Sequence, residues 1–248
     1  MNIPWLEPET PLPAPEFAEK TGSPLAGLVA AGGGLSVTRL CEAYKEGIFP
    51  WFSENQPVLW WSPDPRMVLK IDDFRLHRSL RKTLLAFRNA SDCEVRMDTA
   101  FERVIRQCAS SPRKGAAGTW IVDDMIEAYI ALHHAGFAHS VETWMQGQLV
   151  GGLYCVSMGD ALFGESMFAA RTDASKIALA GLVAFARSQG LTWIDCQQNT
   201  RHLASLGAQE MPRATFLKLV RQAKKDTTRA WHFEPKTWDH VLNRQPMR

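Results

Sequence analysis

The feature that most constrains the fold is a run of three strand-like segments joined by two short turns. The segments are HSVETWM, QLVGGLYCVSM and DALFGESMF, at 139–145, 148–158 and 160–168. The turns at Gln146–Gly147 and Gly159–Asp160 connect them in the pattern of antiparallel hairpins. Because helical patterns lie on both sides of this meander, we predict the α+β fold class with an antiparallel meander at its centre.

Further strand and helix patterns surround the meander. Ser36 is placed to cap a short helix that stops at Gly47. Thr99 is expected to cap a later helix, and Thr172 or Asp173 a third, which runs to Gln189 and is apolar on most sides and therefore buried. The other predicted elements are strands at 66–71, 93–98 and 191–197, the last of them central, and helices at 76–87, 122–135, near Leu203 and at 212–225.

The first 65 residues differ in composition from the rest of the chain. Residues 1–24 are rich in proline and are expected to be extended, and PWFSENQPVLWWSPDP at 50–65 is dense in tryptophan and proline. The second segment is too irregular for a long helix or strand, whereas regular patterns begin at Arg66. We therefore predict a small N-terminal domain at 1–65 and a larger domain at 66–248.

Composition and missing motifs exclude several functional classes. The net charge of +2 gives no bulk argument for nucleic acid binding, so only a local basic patch can support it. The five cysteines have no C-x-x-C spacing and H-E-x-x-H is absent, so neither disulfides nor a metal site is expected. Phosphate-loop, dinucleotide and G-x-S-x-G motifs are also absent, so no cofactor is expected.

The location of the protein is constrained by two observations. The N-terminus is acidic and proline-rich, without the basic and then apolar pattern of a secretion signal. The longest strongly apolar segment, Ile177–Ala186, is too short to cross a bilayer. We therefore expect a cytoplasmic protein with no membrane partner.

Two polar groups on predicted strands are candidates for chemistry. Residues two apart on a strand face the same side, so Asp195 and Gln197 are expected to share a face, with Cys196 on the other. A carboxylate beside an amide can orient or deprotonate an amine, although Asp195 alone is equally typical of a loop cap. Glu165 can receive an ammonium group, since an unpaired carboxylate is costly to bury, but alone it also fits a solvated face.

Aromatic and basic side chains supply two further candidates. Five aromatic residues can line an apolar pocket or pack in the core: Trp51, Trp60, Trp61, Trp120 and Tyr129. Core packing is expected for Trp60 and Trp61. The predicted helix at 76–87 and the residue after it carry a basic stripe at helical spacing, formed by Arg78, Arg81, Lys82 and Arg88. Such a stripe can neutralise phosphates, but it is also typical of an ordinary solvated face.

In their order along the chain, these segments resemble one family. The shared motifs are YKEGIFPWF (44–52), LWWSPDPR (59–66), GTWI (118–121), EAYIALHHAGFAHSVETW (127–144), LVGGLY (149–154), GESMF (164–168), ASK (174–176), IDCQ (194–197) and HLASLGA (202–208). The likeness extends from about Ser23 to Phe216, and motifs such as GIFPWF and LWWSPDPR are highly specific. The chain is similar to the leucyl/phenylalanyl-tRNA–protein transferases.

The resemblance implies a fold, a reaction and partners. The family joins a small N-terminal domain to a larger domain similar to the acetyltransferase (GNAT) fold, with a mixed, largely antiparallel sheet. It transfers Leu, Phe and, less readily, Met from aminoacyl-tRNA to proteins that begin with Arg or Lys. The products are marked for degradation by the N-end rule pathway.

The resemblance also implies roles for residues at matching positions. Asp195 and Gln197 match a catalytic pair, and Glu165 matches a glutamate near the substrate amino group. Residues around the 3′ end of the charged tRNA are matched by Trp51, Trp120 and Tyr129. The amino-acid pocket is matched by Leu153, Met167, Leu179, Leu182 and Ile194. The basic stripe falls where the family contacts the tRNA acceptor arm. Gln198–Arg201 and the first 22 residues lack such support and are assigned no role.

The implied chemistry agrees with the missing phosphate loop, because an aminoacyl ester is already activated. We expect Asp195 to orient Gln197 and to help remove charge from the attacking amine. Alternatively, a hydroxyl of the terminal adenosine moves the proton and Asp195 acts only electrostatically. Rival functions are an acyl-CoA-dependent N-acetyltransferase, for which the FAARTDASK junction at 168–176 lacks a glycine loop, and a non-catalytic tRNA-binding module.

Overall fold

The N-terminal part of the chain forms a small sheet of four short strands. The computed structural model describes residues 3–20, 22–111, 121–224 and 228–243. The strands are β1 (Trp5–Leu6), β2 (Leu28–Gly32), β3 (Phe49–Pro50) and β4 (Leu59–Trp61). Their order is β1-β2-β4-β3, with β1 parallel to β2 and the other pairs antiparallel. The irregular 50–65 segment thus contributes only to very short strands, as predicted.

The second sheet has seven strands. They are β5 (Arg66–Lys70), β6 (Cys93–Met97), β7 (Ala138–Met145), β8 (Gln148–Met158), β9 (Ala161–Ala169), β10 (Trp193–Gln197) and β11 (Gln209–Met211). Their order is β11-β5-β10-β9-β8-β7-β6, with β9 and β10 parallel and the other neighbours antiparallel. The α+β class, the mixed, largely antiparallel sheet, the meander and the internal place of β10 are confirmed.

The first turn of the meander is a tight two-residue turn between β7 and β8. Gln146 and Gly147 have φ of 55° and 69°, so both adopt the left-handed conformation. Turns of this kind match the right-handed twist of the two strands they join. Glycine adopts this conformation without a steric penalty, and its place in the turn fixes the register of the hairpin.

Eight α-helices lie within the described residues. They are α1 (Val37–Lys45), α2 (Arg78–Asn89), α3 (Phe101–Ser110), α4 (Asp123–His134), α5 (Ala174–Ser188), α6 (Arg201–Ser205), α7 (Arg213–Gln222) and α8 (Asp239–Leu242). The predicted cap of α1 is confirmed, since the Ser36 side chain accepts from the backbone N–H of Arg39 at 3.2 Å. The helix ends before Gly47, which has φ of 70°.

The predicted cap of α3 is wrong. Thr99 lies before the N-cap residue, Ala100, and neither side chain caps the helix. Instead, the fully buried Glu142 of β7 accepts from the backbone N–H groups of Thr99 at 2.9 Å and Ala100 at 2.7 Å. A carboxylate at this position satisfies free N–H groups and is favoured by the helix dipole. The cap therefore comes from a residue that local sequence does not connect to α3.

The N-terminus of α5 is predicted at the right place but with the wrong contact. Asp173 is the N-cap residue, yet it adopts the left-handed conformation and its side chain makes no capping bond. Its carboxylate accepts from Lys176 Nζ at 2.7 Å instead. The predicted burial of α5 is confirmed, because most of its residues are buried against the sheet. The start of α5 also lies very close to β8. A Cβ at Gly151 of β8 would lie 2.5 Å from the Cβ of Ala174, so a glycine at this position permits the close approach of the helix to the strand.

The hydrophobic core consists of two clusters. The first joins residues of the small sheet and α1 to residues of α3, α4 and α7, and therefore crosses the predicted boundary at Pro65. The second surrounds α5 and also takes in the C-terminal residues Phe233, Trp238 and Leu242. The division into domains at 1–65 and 66–248 stays a prediction. Neither β11 nor the packed segment after residue 228 was predicted from the sequence.

Two kinds of structural feature are absent from the described residues. Within residues 3–20, 22–111, 121–224 and 228–243, no helix is long and apolar enough to cross a membrane. In the same part of the chain, no group of three or more His, Cys, Asp and Glu side chains is arranged to hold a metal ion.

Candidate active site

The centre of the candidate site is a buried ion pair between β5 and β10. Arg66 Nε donates to Asp195 Oδ1 at 2.8 Å, and Arg66 Nη2 donates to Asp195 Oδ2 at 2.5 Å. Both side chains are fully buried. The guanidinium lies between the rings of Phe49 and Phe216, at 4.7 Å and 4.5 Å from their centroids. Because both carboxylate oxygens are engaged by the same fork of donors, the position of Asp195 is fixed.

Gln197 is held beside this ion pair by its backbone. Its N–H donates to Asp195 Oδ1 at 2.9 Å, so Asp195 acts as a cap for the end of β10 as well as an ion-pair partner. The strand register is irregular between Asp195 and Gln197, and Gln197 has φ of 59°. The simple alternation expected for residues 195–197 is therefore interrupted. The two residues do meet, but through a backbone N–H and a bulge.

The Gln197 side chain points to Glu165 of β9. Gln197 Nε2 donates to Glu165 Oε1 at 3.1 Å, and the Tyr129 hydroxyl donates to Glu165 Oε2 at 3.3 Å. Glu165 is partly buried, so the alternative of an isolated glutamate on a solvated face is wrong. The structure thus brings together Asp195, Gln197 and Glu165, which the sequence places on two different strands.

The environment of Glu165 changes its acidity. Burial raises the pKa of Glu165 to about 7, and the negative charge of Asp195 acts in the same direction. The nearby hydroxyl of Tyr44 and the hydrogen bonds from Gln197 and Tyr129 partly oppose this rise in pKa. A carboxyl group with a pKa near neutrality can bind and release a proton under cellular conditions, which is the property expected of a general acid or base.

Two buried tyrosines lie behind Glu165. The hydroxyl of Tyr129, on α4, makes a short hydrogen bond with the hydroxyl of Tyr44, on α1. Both residues are fully buried, and burial raises the pKa of each hydroxyl well above 10, with the nearby Glu165 adding to the effect. The two phenols therefore remain protonated and act as hydrogen-bond donors at all physiological pH values.

The predicted aromatic residues have different environments. Trp60 is fully buried and its Nε1 donates to the carbonyl oxygen of Gly32 at 2.8 Å, so the expected core role is confirmed. Trp61 is partly buried against the core, and its ring lies 5.7 Å from that of Trp51. Trp51 is 37% exposed and can therefore present a flat apolar surface. Trp120 lies outside the described residues.

The five residues of the predicted amino-acid pocket lie in one apolar cluster. Four of them are 3% exposed or less, and the remaining one, Met167, is partly buried against them. Leu153 and Met167 are opposite each other on β8 and β9. The structure therefore brings together Leu153, Met167, Leu179, Leu182 and Ile194. Their role in binding an amino acid stays a prediction.

The four residues of the basic stripe on α2 differ in their contacts. Arg78 and Lys82 are exposed. Arg81 Nη1 donates to the carbonyl oxygen of Leu242 at 2.5 Å, and Arg88 pairs with Asp239 at 2.8 Å. A groove of about 1040 Å³ between α2 and the C-terminal segment is lined by Arg78 and Arg81, among other residues. Two of the four predicted tRNA contacts thus also hold the C-terminal segment in place.

Comparison with known proteins assigns the chain to a family. Residues 68–221 match the model of the leucyl/phenylalanyl-tRNA protein transferase, and residues 33–64 match the model of its N-terminal domain. The chain belongs to this family. The transferase of Polaromonas sp. is 59% identical over 240 residues, which cover 97% of this chain and 94% of the relative. That of Bordetella petrii is 56% identical over 93% of this chain and 92% of the relative.

Membership of the leucyl/phenylalanyl-tRNA protein transferase family makes the chain an aminoacyltransferase, with aminoacyl-tRNA and an acceptor protein as its partners.

Among solved structures, FemX has a TM-score of 0.44 and 10% identity, and each chain is 64% covered. A GCN5-related N-acetyltransferase from Kribbella flavida has a TM-score of 0.35 and 10% identity, with 69% of this chain and 59% of the other covered. Both scores are too low to support a conclusion.

Sequence reasoning assigned no role to two residues of this site. Arg66 begins a strand that is otherwise apolar, and a basic residue at such a position is a weak signal for a buried partner. Tyr44 occurs in the YKEGIFPWF motif, but nothing in that motif shows that its hydroxyl meets Tyr129, 85 positions later. Only the tertiary contacts identify these two residues.

Proposed function

We propose that the enzyme moves Leu, Phe and, less readily, Met from aminoacyl-tRNA to proteins that begin with Arg or Lys. We place the reaction in the cytoplasm, where aminoacyl-tRNA is made, and its product in the N-end rule degradation pathway. The relatives' shared name supports Leu and Phe as the transferred amino acids, and the ordered motifs support the other parts through the family resemblance. The observation that carries the proposal is Glu165, a carboxyl group of pKa about 7 held by Gln197 and Tyr129.

The reaction requires an amine to lose its positive charge and attack an ester. A peptide α-amine ordinarily has a pKa of about 7.7–8.0, close to that of Glu165, so a proton can pass between them with little energetic cost. The amine nitrogen then forms a bond to the ester carbonyl carbon, and the bond from that carbon to the ribose oxygen breaks. Glu165 takes the proton that removes the charge of the ammonium group, and the second proton, lost from the nitrogen as the new bond forms, goes to the leaving ribose oxygen.

The contacts of Asp195 support a positioning role in place of the proton transfer expected from the sequence. Its carboxylate is paired with Arg66 and accepts the backbone N–H of Gln197, so its oxygens are already engaged. In the proposal, Asp195 holds Gln197, and Gln197 orients Glu165 and the incoming amine. Accurate placement of an amine and an ester can supply roughly 7–11 kcal/mol of the barrier reduction.

The acceptor's basic first residue needs a negative partner. Asp195 and Glu165 were both candidates from the sequence, but the charge of Asp195 is neutralised by Arg66. We therefore assign attraction of the acceptor's positive charge to Glu165, which has hydrogen-bond partners but no ion-pair partner among the described residues.

The test is single-turnover transfer of radiolabelled Leu from Leu-tRNA to a protein that begins with Arg. We expect transfer by the wild type and a loss of about 100-fold in Gln197→Ala, because Glu165 then loses an orienting partner. Gln148→Ala, which changes an exposed glutamine at the start of β8, is the matched control and should transfer normally. Binding of tRNA without transfer would instead favour a tRNA-binding module.

The same assay tests donor selection by the apolar cluster. One methylene changes selectivity by only about 1–3 kcal/mol, so we expect imperfect discrimination, with Met-tRNA used slowly. Branched Ile-tRNA should be a poor donor because pocket shape decides the choice. Equal rates with Ile-tRNA and Leu-tRNA would show that the five predicted residues do not select the amino acid.

The division of the basic stripe predicts different effects for two substitutions. Lys82→Ala should weaken tRNA binding and reduce the slope of log affinity against log salt by roughly 0.7–0.9 for the lost phosphate contact. Its melting temperature should stay near that of the wild type, since Lys82 is exposed. Arg88→Ala should lower the melting temperature more, because it loses the ion pair with Asp239. Unchanged salt dependence in Lys82→Ala would remove this residue from the tRNA interface.

A further inference from the structure

We propose that Tyr44 is a positioning residue of the transfer reaction: its hydroxyl donates to Tyr129, directs the Tyr129 proton at Glu165, and so keeps Glu165 ionised for the incoming amine. The inference rests on the proposed function, because it concerns the same carboxylate. Tyr44 itself is fully buried, and the one side-chain hydrogen bond that it makes among the described residues joins its hydroxyl to that of Tyr129.

The direction of the hydrogen bonds follows from counting protons. A tyrosine hydroxyl has one proton to donate, and a carboxylate can only accept. Tyr129 therefore uses its proton in the 3.3 Å contact with Glu165 Oε2. The short contact between the two hydroxyls must then be made by the proton of Tyr44. The result is a directed chain from Tyr44 through Tyr129 to Glu165.

Packing alone does not require a hydroxyl at position 44. The ring of Tyr44 lies 5.1 Å from that of Phe163 in the core, a contact that phenylalanine would make equally well. A buried hydroxyl costs free energy unless it is hydrogen bonded. What the Tyr44 hydroxyl adds is its bond to Tyr129 and its proximity to Glu165.

The surroundings of Glu165 determine what happens when Tyr44 loses its hydroxyl. Among the described residues, the titratable and charged groups that face this carboxylate are Tyr44 from α1, Tyr129 from α4, Cys155 from β8, and Asp195 from β10 with its partner Arg66 from β5. Burial and Asp195 raise the pKa of Glu165, whereas the hydroxyl donors lower it. Loss of a donor should therefore raise the pKa further above about 7.

The experiment is the pH dependence of kcat/KM for transfer by Tyr44→Phe, from about pH 5.5 to about pH 9. Activity requires ionised Glu165, so it increases as the pH rises through the pKa of that group. We expect the midpoint of this increase to move upward by about 0.5–1 pH unit. The variant should lose about 3–10-fold at about pH 6 and stay within about twofold of wild type at about pH 9.

Two further variants make the test specific. Tyr154→Phe removes the hydroxyl of the third tyrosine, whose ring lies 5.5 Å from that of Tyr129, and should leave the midpoint unchanged. In a Tyr129→Phe background the route through Tyr129 is already cut, so adding Tyr44→Phe should move the midpoint by less than Tyr44→Phe does alone. If Tyr44→Phe fails to fold, Tyr129→Phe alone must show the upward shift.

The outcomes separate this inference from the proposed function. Wild-type transfer with a loss in Tyr44→Phe that is equal at every pH would indicate a packing role and overturn the inference alone. Independent, additive shifts from Tyr44 and Tyr129, or a shift in Tyr154→Phe, would also overturn it. Absence of transfer by the wild type would overturn the proposed function and this inference with it.

Discussion

Replacing Arg66 with methionine is expected to lower the free energy of unfolding by about 3–5 kcal/mol and to remove most transfer activity. The substitution keeps an apolar side chain between Phe49 and Phe216 but leaves the carboxylate of Asp195 buried without its partner. Removing one member of a buried ion pair is costly because the remaining charge is neither hydrated nor neutralised. Urea unfolding at neutral pH measures the effect.

A surface ion pair provides the matched control. Arg106 contacts Glu102 at 2.9 Å and Glu127 at 3.3 Å, but all three side chains are well exposed. Arg106→Met should therefore lower the free energy of unfolding by less than about 1 kcal/mol. If Arg66→Met cost no more than Arg106→Met, the ion pair with Asp195 would contribute little to the fold.

A double substitution separates the stability of the site from its activity. Arg66→Met with Asp195→Leu replaces both charges by apolar groups, which is often neutral or stabilising for a buried pair. We expect the free energy of unfolding to recover to within about 1 kcal/mol of the wild type. Transfer should stay low, because the backbone N–H of Gln197 no longer has the Asp195 carboxylate as its acceptor. Recovery of activity in the double variant would contradict the positioning role of Asp195.

Replacing Glu165 with glutamine should change activity and stability in opposite directions. Glutamine keeps the shape of the side chain but cannot accept the amine proton, so the transfer rate should fall by about 10²–10⁴-fold. The increase of activity with pH that follows ionisation of Glu165 should disappear. Rates measured from about pH 6 to about pH 9 check both expectations.

The stability effect follows from the raised pKa of Glu165. The folded protein holds this proton up to about pH 7, whereas an unfolded glutamate releases it near pH 4.3. The stabilisation from the bound proton is therefore complete below about pH 4.3 and is lost as the pH rises to about 7. At about pH 8 the ionised carboxylate costs the wild type roughly 1–3 kcal/mol, allowing for partial exposure.

Glu165→Gln should consequently be more stable than the wild type at about pH 8, and nearly equal to it at about pH 5. The control is Glu142→Gln. The buried carboxylate of Glu142 accepts hydrogen bonds from the backbone N–H groups of Thr99 and Ala100, and from the side chains of Ser140 and Trp144. That carboxylate is well satisfied, so its loss should destabilise the protein by about 1–3 kcal/mol at both pH values. A loss of stability in Glu165→Gln at about pH 8 would show that burial of this carboxylate carries no cost.

Much of the fold could be predicted because its signals are local. The meander is encoded by strands with alternating side chains and by two short turns. The start of α1 is encoded by Ser36, whose side chain accepts a hydrogen bond from the backbone N–H three residues later. The cap of α3 was predicted wrongly because Glu142 lies 43 positions from Thr99. The strand β11 was missed because its three residues are largely polar and form a strand only by pairing with β5.

The sequence by itself determined the α+β class, the internal place of β10, the family, and Asp195, Gln197 and Glu165 as candidates. These follow from local periodicity, turn residues and long ordered motifs. The tertiary structure decided the roles within the site, because they depend on contacts such as that of Arg66 with Asp195, 129 positions apart. Which oxygen is engaged, and which carboxyl group has a raised pKa, depends on burial and hydrogen-bond partners that no local pattern records.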